Sequence, residues 1–482
     1  MNRNMRMALT LTLRIATVRA EKRGVAGMKR FGAILAAMLA FGLAPAAAQV
    51  PDGAPTVISS SQARAIARQA LAEGKPQIAG AIADALLQQN PEDAEALLIR
   101  ALLLRGTGQL DEAREAASAA WRHAEAPAVR FDAAMLTADI LARQERFTRS
   151  QFWLRRADQA APDDGRRATA AQAYRTVARR NPLQIGLRFG VKPSNNVNNG
   201  AETLQIDIGG LPFRLDDSGQ QLGGWEASAG LSFSYRLSEN EAQRTEFLAD
   251  VFYRKVWLDS DAAVLAPGVE SSDFDYGAVV TGLRHQRLIW PEMGTSSVTG
   301  VLGQSWYGGT GLARWGEVQL GQLVKRSADS ALRFGLNLRV ERRLDDPIND
   351  SESIGFSAEY LRSTGDGGAY SLGASARNVA SDSASVDALV VGVSGTRSFG
   401  RIGAMQPRLS LGAETRDYQK WAVTPGGRVD RSISIQLDVA WPEVSYYGFV
   451  PQASLTARRT WSDVDIYDRN EISLGLTAVS RF

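Results

Sequence analysis

The chain has 482 residues, of which 44% are hydrophobic and 22% are charged, and this length predicts more than one domain. It contains no cysteine and only two histidines, which excludes disulfides, thiolate nucleophiles, cysteine-ligated metals and poly-histidine metal sites. The net charge of +3 originates in the first 48 residues, which carry +7 and leave −4 for the rest. No basic domain is therefore present to neutralise nucleic-acid phosphates, and we expect no nucleic-acid partner.

Residues 1–48 have the pattern of a secretory signal peptide. The basic stretch Met28-Lys29-Arg30 precedes an apolar run that ends at Leu43, and a small-residue cleavage site ends at Ala48. The run is shorter than the about 20 residues that a membrane-spanning helix needs. We expect cleavage after Ala48, with Met28 as an alternative start of translation.

The second segment, residues 55–181, is rich in alanine and has a helical period. Three stretches align with starts at residues 60, 94 and 131, and their eighth positions carry the small residues Ala67, Ala101 and Ala138. This spacing resembles the tetratricopeptide repeat, as does the turn Thr107–Ala113; a generic array of helical hairpins has a similar pattern. A final helix at about 166–180 is expected to cap the stack.

The middle repeat departs from this pattern at its end. Glu125 occupies the position at which the other repeats have proline, and Pro127 follows two residues later. The third stretch starts 37 residues after the second, whereas the second starts 34 residues after the first, so three residues are inserted. We expect this insertion to lengthen the second helix of the middle repeat.

A stack of this kind has a concave face, lined by the first helix of each pair, on which a polypeptide can dock. Each charged residue on that face is more simply interpreted as part of a solvated helix surface than as a contact with a client. The register places these candidate client-contact residues there: Arg64, Arg68, Glu95, Leu98, Arg105, Asp132, Met135, Asp139 and Arg143.

From residue 182 to residue 482 the period changes to two. Apolar side chains alternate with arginine, glutamate, glutamine, serine and glycine along most strands, and tryptophans lie near strand ends at positions such as Trp225, Trp315 and Trp461. A soluble sandwich has the same alternation. The polar second face and a final strand ending in Phe482 favour a transmembrane barrel, which must close its last strand on its first. Fourteen antiparallel strands are predicted, and Phe482 is expected to be the signal that barrel-assembly machinery recognises.

The predicted architecture is thus an α + β chain with two domains, in which helical repeats are followed by a 14-stranded transmembrane β-barrel. No catalytic site is expected, because His285 is the only barrel histidine and has cationic neighbours. Phosphate loops and dinucleotide fingerprints are also missing from the sequence, so we predict a protein that is not an enzyme and binds no metal or cofactor.

The junction 181–200, with its run Pro193-Ser194-Asn195-Asn196-Val197-Asn198, resembles the surface lipoprotein assembly modulator family, as does Leu211-Pro212-Phe213. The resemblance implies an outer-membrane protein that moves lipoproteins or secreted partner proteins from the periplasm to the cell surface, with its helical domain in the periplasm. Asparagines favour turns, so Asn195, Asn196 and Asn198 are expected to shape a loop or, alternatively, to contact the client.

Two other functions fit the same architecture. Exopolysaccharide export porins also join periplasmic tetratricopeptide repeats to a barrel, and a passive porin accounts for the barrel alone. In each case the expected surroundings are outer-membrane lipid, and the expected state is a monomer.

Overall fold

The computed structural model describes residues 58–202, 205–208, 211–214, 219–290, 294–421 and 426–480. Within them the chain forms two compact units that divide between Asn181 and Pro182. The first is entirely helical and the second is a closed antiparallel barrel, which confirms the predicted fold class. The signal peptide, the start at Met28 and the insertion signal at Phe482 lie outside the described residues.

Seven helices make up the described part of the helical unit. In chain order they are α1 Ser60–Ala72, α2 Pro76–Gln89, α3 Ala94–Gly106, α4 Leu110–His123, α5 Pro127–Arg143, α6 Phe147–Ala160 and α7 Asp164–Arg180. They pair as antiparallel hairpins, and the last one occupies the position predicted for a capping helix. None of the described helices is long and apolar enough to cross a bilayer.

Alanine forms most of the contact surface between these helices. Ala67, Ala101, Ala113 and Ala117 have no exposed surface, and Ala138 is also buried. A side chain of one carbon lets helix axes approach closely, so the small residues of the repeat pattern lie where the helices pack. Ile140 and neighbouring leucines fill the remaining space.

The prediction for the middle repeat is wrong. Its second helix, α4, ends at His123 with the same 14 residues as α2 and α6, whereas α5 is extended to 17 residues. Pro127 occupies the first turn of α5, where its missing N–H leaves no hydrogen bond unmade. The insertion therefore lengthens the next helix at its start.

Fourteen strands form the closed barrel, and a separate short hairpin consists of β2 Gln205–Ile208 and β3 Leu211–Arg214. The barrel strands are β1 Leu183–Ser194, β4 Gly224–Glu239, β5 Gln243–Leu258, β6 Tyr276–Trp290, β7 Gly294–Tyr307, β8 Thr310–Lys325, β9 Ser330–Arg343, β10 Ser351–Ser363, β11 Ala369–Ser381, β12 Ala388–Ser398, β13 Gln406–Tyr418, β14 Arg428–Ala440, β15 Phe449–Ser462 and β16 Arg469–Ser480. Each pairs antiparallel with its neighbour, and β1 pairs with β16, for example Phe189 opposite Ala478.

The barrel has two rims, which we name by the course of the first strand. The near rim is the end at which β1 begins, and the far rim is the end at which β1 finishes. The three longest connections, 195–223, 259–275 and 419–427, belong to the far rim. Many apolar side chains on the outer wall, such as Leu302 and Phe356, are exposed, as expected of a surface that faces lipid.

One of the predicted interfacial tryptophans faces inward instead. The register places Trp315 opposite Gly303 and Glu341, on the lumen side of β8. A Cβ atom on Gly303 would overlap the indole, and the guanidinium of Arg339 lies 4.5 Å from the ring centroid. Trp225, Trp306 and Trp461 do alternate onto the outer face, where they lie near strand ends.

Candidate functional site

The predicted docking face of the helical unit is a chain of ion pairs between successive repeats. Nε and Nη2 of Arg64 donate to one carboxylate oxygen of Asp93 at 2.9 and 2.7 Å. The Asp93 side chain is only 2% exposed and also caps α3 by accepting from Ala96 N–H. The pair with Asp93 raises the pKa of Arg64 further above its usual range. This predicted contact residue is therefore held by its own chain.

Five other charged residues on this face are also paired, but their pairs are more exposed. Arg68 donates to Glu95 at 2.8 Å, and the two side chains are 61% and 25% exposed. Arg105 and Arg143 both reach Asp139, at 2.9 and 3.1 Å. Exposed ion pairs contribute little to stability, about 0–1 kcal/mol each. They remain accessible to a partner.

The three remaining predicted residues have mixed surroundings. Leu98 and Met135 are partly buried against the hydrophobic clusters of the stack. Burial raises the pKa of Asp132, while the nearby charge of Arg166 on α7 opposes the shift. The face is thus a mixture of paired charges and packed side chains.

The inner wall of the barrel is strongly charged, with more cations than anions. The inward-facing cationic residues, by strand register, are Arg188, Lys192, Arg236, Arg244, Arg254, Arg284, Lys325, Arg333, Arg339, Arg343, Arg377, Arg408, Arg416, Arg428, Arg458 and Arg469. The inward-facing anionic residues are Glu226, Glu239, Glu246, Asp250, Glu317, Glu341, Glu359, Glu414, Asp430, Asp438 and Glu471.

Most of these luminal charges form ion pairs, either along one strand or between neighbouring strands. Lys192 and Arg254 lie 3.2 and 3.6 Å from the two carboxylate oxygens of Glu226, which is 5% exposed. Arg416 contacts Glu414 at 2.7 Å. Such pairing stiffens the wall and leaves the surplus cations to set the potential of the lumen.

Arg377 differs from these paired residues. It is the single charged residue on the inner faces of β11 and β12, where the register places serine, glycine, threonine, alanine and valine around it. Its side chain is exposed, and within the described residues it makes no ion pair or hydrogen bond. Together with Arg284, Glu317 and Arg416 it lines a cavity of about 1290 Å³ inside the barrel. The alternation in the sequence does not single out Arg377, because it does not reveal which residues of the neighbouring strands surround it.

The asparagine run after β1 holds the first far-rim connection in place. Asn196 makes two bonds with Gly200, at 2.8 and 3.0 Å, and Asn198 accepts from Leu222 N–H at 2.9 Å and donates to Gln220 O at 2.6 Å. All four partner groups are backbone atoms. These amides therefore shape the loop.

Asn195 connects the loop to the closing strand. Its side chain accepts from Ile472 N–H at 2.8 Å and donates to the carbonyl of Asn470 at 3.2 Å. Beyond Ser194, where the described β1–β16 pairing ends, these two bonds continue the contact between the first and last strands. Glu202 adds an ion pair with Arg459 of β15.

A small apolar core joins two of the far-rim connections. Val197 and Leu222 of the first connection are buried against Val256 of β5 and Phe274 of the next connection. The short helix α8, Ser260–Leu265, contributes Ala262. These loops thus pack over one side of the far rim, a feature that the sequence pattern did not reveal.

The one histidine of the barrel sequence, His285, faces outward. His285 lies opposite Thr245, with 2.9 Å between its Nδ1 and the threonine hydroxyl. Among the residues that the structure describes, no group of three or more histidines and carboxylates could hold a metal ion.

Comparison with known proteins finds similarity in structure only. No protein-family model matches the chain, and neither does any curated protein sequence. The TPR2B domain of yeast Sti1 in its pHsp70 complex covers 25% of this chain at 17% identity and TM-score 0.23, with 98% of its own length matched. OccAB4 of Acinetobacter baumannii covers 62% at 10% identity and TM-score 0.32, with 98% of its own length matched. The COG4313 outer membrane channel of Pseudomonas putida F1 covers 62% at 10% identity and TM-score 0.32, with 96% of its own length matched. The helices are thus similar to tetratricopeptide structures and the barrel to outer-membrane channels, and identities this low concern the fold alone.

Proposed function

We propose that the protein is an outer-membrane translocator, which delivers lipoproteins or secreted partner proteins from the periplasm to the cell surface. The observation that carries the proposal is the direct fusion of a self-contained helical repeat unit to a closed barrel with a polar lumen. Only Asn181 and Pro182 separate the last helix from the first strand. A diffusion pore does not require such a stack, whereas a translocator requires a site that binds its client before transport.

In this proposal the helical unit docks the client through its exposed ion pairs. Arg68 with Glu95, and Arg105 with Arg143 and Asp139, offer charges of both signs that lie partly in solvent. A client can replace one partner of an exposed pair at little cost, because such pairs contribute about 0–1 kcal/mol. Arg64 is assigned a structural role, since its partner Asp93 is buried.

Exchanging the two charges of one ion pair distinguishes a loss of client docking from a loss of folding. In the double variant Arg68→Glu, Glu95→Arg the ion pair can form again with its charges reversed, so the helical unit should keep its melting temperature. Surface display of a co-expressed client, measured by protease accessibility on intact cells, should fall severalfold. The matched control is Lys75→Glu, Glu73→Lys, which exchanges an exposed ion pair in the turn between α1 and α2.

Deletion of residues 49–182 behind an intact signal peptide tests the larger claim. The barrel should still insert, giving a band whose gel mobility shifts on heating, while client display falls. Full display without the helical unit, or undiminished display in the charge-exchanged variant, would refute helical docking. A gene neighbourhood that encodes a lipoprotein or secreted partner would favour the proposal, and one that encodes a polysaccharide synthase would favour polymer export.

A second candidate, a pore for small anions, is favoured by Arg377 and the cavity that it lines. Purified protein in planar bilayers under a KCl gradient would then show a reversal potential of the sign for chloride. Arg377→Gln should weaken that selectivity. Arg397→Gln, on the outward face of β12 and paired with Asp366, changes the net charge equally and should leave selectivity unchanged. Lack of conductance would remove this candidate.

A further inference from the structure

The outer wall near the far rim carries two arginines that face each other. Arg314 on β8 and Arg342 on β9 are direct partners in the strand register, on the face that alternates with the lumen. Like charges in directly opposed positions destabilise a strand pair. Both side chains are exposed. An arrangement of this kind is suited to an anion that binds between the two guanidinium groups.

Arg314 is also the exception among the outward cations of that rim. Lys255 lies 2.7 Å from Asp275, Arg431 lies 3.4 Å from Asp463, and Arg459 is paired with Glu202. Within the described residues, Arg314 has no carboxylate partner and donates only to the side-chain oxygen of Gln304 at 2.9 Å.

Arg342 does have carboxylates nearby, at longer distances. Its guanidinium lies 3.6 Å from Asp350 and 3.4 Å from Glu352, which is 66% exposed. These two carboxylates balance the charge of Arg342, and neither of them contacts Arg314. The charge of Arg314 therefore stays without a carboxylate partner at the surface of the barrel, beside an Arg342 whose own charge is balanced.

Directly below the two arginines, toward the near rim, the outer wall has an apolar hollow. It has a volume of about 630 Å³ and is lined by Val279, Leu302, Gly316 and Val340, with Trp306 at its upper edge. The hollow exists because Gly316 has no side chain between Leu302 and Val340, its two neighbours in the register. Its volume is within the range of about 300–1,000 Å³ typical of small-molecule sites.

The height of the site on the wall matches the edge of a bilayer. The outward apolar residues of β9 begin at Leu332, ten residues before Arg342. At about 3.3 Å per residue and a strand tilt of about 40°, this distance spans about 25 Å, the height of the apolar band of such barrels. Arg314 and Arg342 therefore lie where lipid head groups are found, and the hollow lies where acyl chains begin.

We infer that this site binds a membrane lipid with a phosphorylated head group, whose phosphate lies between Arg314 and Arg342 while one acyl chain fills the hollow. Arginine is suited to this role because its planar guanidinium can form two parallel hydrogen bonds to phosphate. The inference requires that the barrel lie in a membrane and is independent of whether the chain moves a client.

The test measures lipid retained by the full-length protein in neutral detergent by native mass spectrometry. The probes are bis-phosphorylated lipid A, its dephosphorylated form and inorganic phosphate. Wild type should retain lipid A at one site, and Arg314→Gln with Arg342→Gln should reduce that occupancy at least tenfold. Arg431→Gln, at a far-rim arginine of the outer wall that is paired with Asp463, should bind as wild type does. A heat-dependent shift in gel mobility confirms that each variant is folded.

Filling the hollow provides a second and independent variant. A Cβ atom on Gly316 would lie 3.5 Å from Leu302, an ordinary contact, so Gly316→Phe should fold and should block the acyl chain. We expect it to lose lipid A while both arginines remain. Equal occupancy in wild type and the double arginine variant would overturn the inference. Equal binding of the dephosphorylated lipid would also overturn it and would assign the hollow to any acyl chain, as on a lipidated client. Displacement of lipid A by equimolar inorganic phosphate would reduce the site to a bare anion site.

Discussion

The buried contact between Arg64 and Asp93 makes a quantitative prediction about the helical unit. Replacing Asp93 with alanine removes the N-cap of α3, a loss of about 1 kcal/mol. It also removes two charge-assisted hydrogen bonds to Arg64, whose side chain is 31% exposed, at a further cost of about 1–3 kcal/mol. The expected loss of unfolding free energy is therefore about 2–4 kcal/mol.

The assay is urea and thermal unfolding of residues 49–182, followed by circular dichroism. For a unit of this size, 1 kcal/mol corresponds to about 3–5 °C, so the melting temperature should fall by about 6–20 °C. Asp93→Asn keeps a good capping side chain and loses the charge, so it should lose about 1 kcal/mol less than Asp93→Ala.

A double-mutant cycle isolates the ion pair. Arg64→Met leaves the Asp93 carboxylate buried without its partner, and the cycle that combines Arg64→Met with Asp93→Asn should give a coupling energy of about 1–3 kcal/mol. A coupling energy below about 0.5 kcal/mol would show that the contact does not hold the repeats together, and Arg64 would return to the set of available client contacts.

Three further predictions concern packing, pH and closure. Ala101→Trp and Ala138→Trp should each unfold the helical unit, because overpacking commonly costs about 1–3 kcal/mol and this change is larger; wild-type melting would refute the repeat register. Burial raises the pKa of Asp158, against the opposing charge of Arg167, so ionising it in the folded state is unfavourable. Asp158→Asn should therefore raise the melting temperature at pH 7. The gain in melting temperature over wild type should shrink as the pH falls from the raised pKa of the folded state toward the pKa of about 3.9 in the unfolded chain. A gain that does not depend on pH would contradict this prediction. Finally, because the chain has no cysteine, barrel closure can be tested with a single introduced pair. Phe189→Cys with Ala478→Cys should form a disulfide between the first and last strands, detected on non-reducing gels. A pair that stays reduced under oxidant would count against the β1–β16 register.

The sequence alone determined the type and order of the elements. Along β9, Leu332, Phe334, Leu336 and Leu338 alternate with polar residues, because each strand has one side toward lipid and one toward water, and this requirement acts on every residue locally. The spacing of alanines predicted the helical hairpins for a similar reason, since close helix packing requires small residues at regular intervals. The predicted lengthening of α4 was wrong because Pro127 was interpreted as the residue that ends this helix. A proline is equally suited to the first turn of a helix, and Pro127 begins α5.

Only the tertiary structure decided which side chains meet. Asn195 reaches backbone groups of Asn470 and Ile472 at the opposite end of the barrel sequence, and Arg314 faces Arg342 because of the register between β8 and β9. Trp315 lies inside the barrel because strand parity, and not its closeness to a strand end, sets the direction of its side chain. Alternation along a strand states that two faces exist, whereas register and loop packing determine which residues on those faces become neighbours, and these depend on contacts between residues distant in sequence.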